Sequence, residues 1–176
     1  MEVTEPDVAR RDAFIRMLDD YSAHDPNTGE YYEPVRNCFS AYVQGLKDEE
    51  LGLNIQPGYV PCSHRWLVEE GEIVGIVRIR HHLNTQFIAD YGHIGYDVPP
   101  SVRGRGYGIR ALRAGLDEAR LRGIARVLVC ADAKNPASWK TIERCGGVLE
   151  EERFYAEHDV LVRRYWIEIG REDETG

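Results

Sequence analysis

Six consecutive residues, Arg103-Gly104-Arg105-Gly106-Tyr107-Gly108, combine three positions without a Cβ with two guanidinium groups, and Arg110 adds a third. They fall where an extended segment, His93 to Val98, turns on Pro99 and Pro100. There a helix begins whose apolar positions are Ile109, Leu112, Leu116 and Ala119. The first turn of a helix carries N–H groups with no intrahelical partner, and its dipole favours negative charge there. Glycines let that backbone close around an anion, and arginines add charge and hydrogen bonds. The chemistry expected of this stretch is the binding of a phosphate-bearing ligand.

Several readings meet at this loop. Gly106-x-Gly108-x-x-Ala111 satisfies the dinucleotide fingerprint in its Ala form, and Asp132 falls about 20 residues on, where a ribose-binding acid belongs. That reading needs a preceding βαβ unit, whereas Trp66 to Glu69 and Ile73 to Ile79 read as a hairpin. A P-loop would need Gly-Lys-Ser/Thr, which is absent. A connection with no ligand at all would bear the entropy and self-repulsion of three glycines and three arginines without a return.

The remaining reading is a resemblance. Arg103-x-x-Gly106-x-Gly108, after a strand ending in Val98 and before an amphipathic helix, resembles the acyl-CoA motif of the GCN5-related N-acetyltransferase (GNAT) superfamily. The likeness continues through the apolar strand Arg126 to Cys130. It reaches Asn135-Pro136-Ala137-Ser138, which opens a second helix closing on Cys145-Gly146-Gly147. It covers about residues 65 to 169 and is nearest to a bacterial-type branch with a long helical N-terminus and Arg164-Tyr165-Trp166 near its end.

The resemblance implies an α/β fold: a mixed, largely antiparallel sheet with helices on both faces. Its two central strands should splay to admit the cofactor's arm. It implies one domain over 1–176, with residues 1–64 a helical acceptor-side region and 65–169 the cofactor-binding core. Acetyl-CoA is the implied co-substrate. Its contacts would come from Tyr96 and Val98, from Arg103, Gly104, Arg105, Gly106, Tyr107 and Gly108, and from Asn135 and Ser138. Asn135 before Pro136 is also a strong helix start, and capping is compatible with a ligand contact.

The implied reaction is direct attack of a deprotonated primary amine, on a small molecule or peptide, upon the thioester. Two positions depart from the family pattern. Gly92 stands where many relatives carry a Glu, six residues before Val98, and Ile142 stands where the usual Tyr acid follows the Asn by seven. His93 is the first replacement base, since a neutral imidazole can take a proton from an ammonium; Asp97 and Asp90 follow. Tyr155 or Tyr165, arriving from the C-terminal strands, or water would supply the acid. The alternatives are a catalytically weak CoA-binding sensor and a dinucleotide-dependent oxidoreductase.

The rest of the chain must position these groups. Its 176 residues, 43% hydrophobic and 30% charged, suit one globular domain with a substantial core. The net charge of −8 argues against nucleic acid or anionic membrane as partner and would draw a cationic amine. No apolar run approaches the ~20 residues of a membrane span, and Met1-Glu-Val-Thr-Glu-Pro lacks the features of a signal peptide, so a cytoplasmic location is expected. A homodimer is compatible with this reading. Cys38, Cys62, Cys130 and Cys145 show no paired spacing and are expected as free thiols. No metal is expected: the neighbours His81 and His82 point opposite ways on an extended chain, with no ligand cluster beside them.

Apolar spacing predicts helices over Asp7 to Tyr21 and Pro34 to Glu50. His24 to Tyr32 reads as a loop rich in turn formers, and Leu51 to Ser63 as another. Tyr31, Tyr32 and His64 are acceptor-side candidates by family analogy. Trp66 to Arg80 predicts two strands joined at Glu70-Gly71. Gly147 to Ala156 and Asp159 to Ile169 predict a closing hairpin, its second arm placing Leu161, Arg163, Tyr165, Ile167 and Ile169 on one face. A charged, frayed tail, Arg171 to Gly176, ends the chain.

Overall fold

In the computed structural model, which describes residues 1–85, 91–156 and 159–170, the chain opens with a strand the sequence does not announce, β1 (Glu2–Thr4). A 3-10 turn, Val8–Arg10, leads into α1 (Arg11–His24), with Asp7 capping the turn through the Ala9 N–H at 2.8 Å. Then come α2 (Pro26–Tyr32) and α3 (Val35–Glu50). The core follows as β2 (Cys62–Glu69), β3 (Glu72–Arg80), β4 (Ile94–Asp97), α4 (Tyr107–Leu121), β5 (Arg126–Asp132), α5 (Pro136–Arg144), β6 (Val148–Tyr155) and β7 (Val160–Glu168). Asp90 and the tail Arg171 to Gly176 lie outside the described residues.

The segment expected as a loop, His24 to Tyr32, is largely helix α2. Its turn formers have helical reasons: Pro26 sits at the helix start, where its missing N–H costs nothing. A Cβ on Gly29 would lie 2.8 Å from the Ser22 Cα, so glycine permits α2 to close against α1. The β2–β3 turn is as expected, with Glu70 and Gly71 both at positive φ (52° and 82°), the backbone of a tight hairpin.

The strands form two sheets, β1-β2-β3-β4 and β5-β7-β6, in which every pairing among the described residues is antiparallel. Both faces of the first sheet are covered. Leu67, Val77 and Ile79 enter a core with α4, while Trp66, Val68, Ile73 and Ile76 enter another with α1 to α3. That is why β3 opens on a nearly continuous apolar run, Ile73-Val74-Gly75-Ile76-Val77, rather than an alternating one. Phe14 lies within 5.5 Å of Trp66 and 5.3 Å of Phe39, ring centre to ring centre. Each fully buried side chain of this size contributes about 1.5–3 kcal/mol. No helix among the described residues is long and apolar enough to cross a membrane.

Candidate active site

Among the described residues the backbones of the two sheets are joined at one end of β4. Gly92 forms an isolated bridge with Val129, and the His93 N–H donates to the Leu128 carbonyl at 2.7 Å. Beyond it β4 and β5 share no ladder. A cleft of about 630 Å³ extends from the ends of β4 to the start of α4, bounded by the first turns of α5 and by α1 and α2. Tyr96, Asp97 and Val98 bring the end of β4 to this cleft, while β5 lines a second, smaller cavity.

At the start of α4, Gly106 has φ +84° and supplies no side-chain cap. The first amide with an intrahelical acceptor is that of Arg110, bonded to the Gly106 carbonyl at 3.2 Å. The N–H groups of the preceding turn are therefore left for another acceptor. Gly104 also has positive φ, 79°, and a Cβ on either glycine would meet open space. The left-handed backbone is what demands glycine here, and the open space is what a ligand can occupy.

The arginines of the loop are less available than their charge suggests. Arg103 pairs with Asp25 at 2.6 Å and donates to the Val98 carbonyl at 3.0 Å, which holds the Asp25 carboxyl below its usual range. Arg110 reaches Glu69 at 3.4 Å and lies over the Tyr107 ring, and the Tyr107 hydroxyl donates to the same Glu69 carboxylate. Tyr107 thus offers backbone to the cleft while its side chain is tied beneath the β2–β3 turn. Arg105 is exposed. Two cations the sequence reading missed, Lys140 and Arg144, line the cleft from α5. Their i, i+4 spacing on a helix opened by Asn135 was the available signal. Asn135 caps that helix, its Oδ1 accepting from the Ser138 N–H at 3.1 Å, and both residues line the cleft.

Tyr96 spans the splay: its hydroxyl lies 3.2 Å from the Ser138 carbonyl and 3.1 Å from Ser138 Oγ. Tyr96 and Ser138 are shared between the main cleft and a smaller cavity of about 230 Å³ that Arg78, Arg80 and Asp132 help to line. Asp97, the next residue, lines the main cleft. Its Oδ2 accepts from the Tyr32 hydroxyl at 2.9 Å and from Arg78 Nη2 at 2.7 Å, and Arg78 Nη1 donates to the same Tyr32 oxygen at 3.0 Å. Burial first, with Asp97 nearby, holds the Tyr32 phenol well above its ordinary pKa, so it remains a donor.

Other expected groups lie elsewhere. His93 is buried at the join of the sheets, where Nδ1 accepts from the Leu128 N–H at 3.0 Å and the ring meets Trp166 edge-on. Burial, with Arg80 adding to it, pushes its pKa down to about 4. Its Nδ1 lone pair is engaged and it does not line the cleft, so the assignment of His93 as first-choice base is withdrawn. Gly92 is confined as well: at φ +67°, a Cβ there would lie 2.5 Å from the Leu128 carbonyl oxygen, leaving no room for the Glu that the resemblance would place there.

Tyr165 is fully buried under α5 and donates to Glu143 at 3.1 Å, while Tyr155 closes the β6–β7 pair opposite Val160. Neither lines the cleft. The reason is topological: β7 inserts between β5 and β6, so the closing hairpin extends the sheet instead of folding over the opening. Of its expected core face, Tyr165, Ile167 and Ile169 are buried, and Arg163 stacks on Trp139 at 4.5 Å. Ile142, at the usual acid position, is fully buried too.

Among the acceptor-side candidates, Tyr31 is exposed, Tyr32 holds Asp97, and His64 is buried against Glu49 at 2.6 Å. Glu49, Cys62 and His64 form a cluster of metal-ligating types at the α3–β2 seam, away from the cleft. None of the four cysteines is in a disulfide. The dinucleotide reading loses its frame, because β3 and β4 pair antiparallel and Asp132 Oδ1 accepts from the Lys134 N–H in a turn.

Solved structures share this fold. Among curated proteins none matches the sequence. The ribosomal alpha-N-protein acetyltransferase RimL in complex with coenzyme A superposes with a TM-score of 0.70 at 21% identity, over 97% of this chain and 94% of that one. The putative acetyltransferase yncA of Salmonella typhimurium, with its cofactor acetyl-CoA, gives 0.57 at 15% identity over 99% and 96%. A chimera of the spermidine N-acetyltransferase SpeG of Vibrio cholerae with hSSAT gives 0.61 at 14% over 96% of both chains. The model of the acetyltransferase (GNAT) domain matches residues 12–148. With that match over most of its length, and with an uncapped α4 opening on splayed central strands, the chain belongs to the GNAT acetyltransferase family, acyltransferases that take acetyl-CoA as co-substrate.

Proposed function

We propose that the protein transfers an acetyl group to a primary amine of a small molecule or peptide by direct attack. One observation carries the reading: the uncapped α4 terminus and the Asp97 carboxylate line the same cleft, at the open end of the β4–β5 splay. The residues fit acetyl-CoA. Unsatisfied amides and open glycine surfaces suit a diphosphate, and Lys140 and Arg144 add positive charge along the wall.

When bound, acetyl-CoA supplies a thioester, whose carbonyl carbon is the electrophile. The chain's part is to orient and to move a proton. Arg78 and Tyr32 fix Asp97 Oδ2 from two sides, leaving Oδ1 to accept the proton of an incoming ammonium. Val98 lies one residue past the last β3–β4 pair, Ile76 with Asp97, and lines the cleft, so its N–H is a backbone donor available to a developing oxyanion. Asp97 replaces His93 as base in this reading.

The relatives acylate chemically different amines, as named: a protein α-amine for RimL and a polyamine for SpeG. The test is release of CoA thiol from acetyl-CoA across polyamines, amino acids, aminoglycosides and peptides with free N-termini. Turnover on at least one class, abolished in Asp97→Asn, supports the proposal. Tight CoA binding without turnover on any of them would favour the sensor, which the occupied Gly92 and Ile142 positions would then explain.

A further inference from the structure

The smaller cavity, about 230 Å³, shares Tyr96 and Ser138 with the main cleft, and its charged lining residues are Arg78 and Arg80 of β3 and Asp132 at the end of β5. In a chain of net charge −8, two guanidinium groups against one carboxylate reverse the local sign. Asp132 is partly spent, since its Oδ1 accepts from the Lys134 N–H at 2.7 Å. The arginines are two apart on one strand and so stand on the same face. Arg78 aims Nη1 at Tyr32 and Nη2 at Asp97, which leaves Nε outside both bonds, and its side chain stays 23% exposed. Its neighbour across the ladder is Gly95, which also lines the cavity; a Cβ there would lie 3.8 Å from Arg78 Nε, so the glycine leaves the guanidinium uncovered on that side. Arg80 donates to the Gly92 carbonyl at 3.1 Å and lies over the Tyr91 ring. Burial above all, with Arg78 adding to it, lowers the Arg80 pKa, while Cys62 and Glu49 oppose the shift. An anion between the two would offset the cost of holding them half-buried side by side.

Resting on the acetyl-transfer reading above, we propose that this cavity reads the acceptor, and that the acceptor carries a carboxylate a few bonds from its amine, as a free amino acid or the acidic first residue of a peptide does. The carboxylate sits on Arg78 and Arg80. The amine then points past Tyr96 and Ser138 into the main cleft, where Asp97 takes its proton. Arg78 couples the two events, because the guanidinium that receives the carboxylate also holds Asp97 Oδ2. The acyl carbon exchanges its bond to sulfur for one to the amine nitrogen, the amine's proton passes through Asp97 to water, and the thiolate takes a proton from solvent on release. The volume, below the ~300–1,000 Å³ of a drug-sized pocket, suits one group of amino-acid size. A polyamine would bring a further ammonium against two guanidinium groups, and like charges repel most where water is scarce.

The test measures kcat/KM at saturating acetyl-CoA for alanine against alaninamide, for aspartyl-alanine against asparaginyl-alanine, and for spermidine. The wild type should favour the acid over its neutral partner by about ten- to a hundred-fold in at least one pair, the range of charge-assisted hydrogen bonds, with spermidine poorest. The first pair responding alone marks a free amino acid as the source, and the second alone a peptide. Arg80→Gln should shrink that ratio by about ten-fold through KM for the acid, with CoA affinity by calorimetry within about two-fold of wild type. The wild-type ratios stand whether or not the variant folds. Equal rates within both pairs, or spermidine as the best acceptor, would overturn the carboxylate assignment while leaving acetyl transfer standing. Absence of turnover on every amine of the panel and of the wider set above would overturn both.

Discussion

The two walls of the cleft are built on different principles. The cofactor wall is mostly backbone: the amides opening α4, the left-handed Gly104 and Gly106, and the Asn135 cap of α5. The proposed acceptor wall depends on side chains from separate elements: Tyr21 of α1 and Asp97 of β4 line it, and Tyr32 of α2 and Arg78 of β3 hold Asp97 in place. Tyr32 and Asp97 are 65 residues apart in sequence, and Arg78 and Asp97 are 19 apart. A backbone site needs only local φ and helix geometry and tolerates change in its side chains. A side-chain site depends on packing, so one substitution can retarget it, which is how a family with one cofactor comes to serve many acceptors.

The largest effect should come from breaking the backbone wall. Gly106→Val forces a β-branched residue to φ +84° and fills the space above the amides. CoA affinity should fall by at least about a hundred-fold by calorimetry, while the far-UV circular dichroism stays native and stability drops by about 1–2 kcal/mol. Retained affinity would mean that the amides do not hold the diphosphate.

Asp97→Asn tests the other wall. It should lower kcat by about two to three orders of magnitude, the range of a lost general base, with CoA affinity nearly unchanged. A fall in CoA affinity with kcat intact would reverse the roles of the two walls. Smaller is the effect of Lys140→Ala with Arg144→Ala, which should raise KM for acetyl-CoA by about ten-fold and spare kcat, as lost charge-assisted contacts do. Initial-rate measurements over both substrates separate the two cases.

His93 lies outside both walls, and its signature should be stability. Its folded pKa of about 4 is below the ordinary 6.5, so the unfolded chain binds the extra proton between these values. Stability is therefore full above about pH 6.5 and declines as the pH falls toward about 4. His93→Gln should flatten that decline in urea unfolding series and leave the pH dependence of kcat unmoved. A kcat profile that loses a limb would return His93 to the chemistry. Arg105→Ala should be the mildest change, within about two-fold in KM, because the residue is exposed.

What could be read from the sequence is what short-range rules decide. Glu70-Gly71 makes a hairpin turn because two adjacent residues must take positive φ. Asn135-Pro136 starts a helix because one residue caps and the next needs no acceptor. Gly106 before an apolar stripe leaves amides bare. Rules of this kind also misled. The turn formers of His24 to Tyr32 serve a helix whose glycine is needed by the neighbouring α1, a demand visible only across the interface. β1 was invisible because three residues become a strand only when Thr4 finds Trp66.

The chemistry of the acceptor wall belongs to tertiary structure in the same way. His93 and Asp97 are four residues apart and both titratable, yet one lies at the closed end of the splay with its lone pair engaged and the other at the open end with an oxygen to spare. The local sequence determined where a phosphate can bind, because bare amides follow from backbone geometry. Only the packing of distant elements decided which side chain faces the substrate, because burial and hydrogen-bond partners are set by neighbours that the chain brings together after folding.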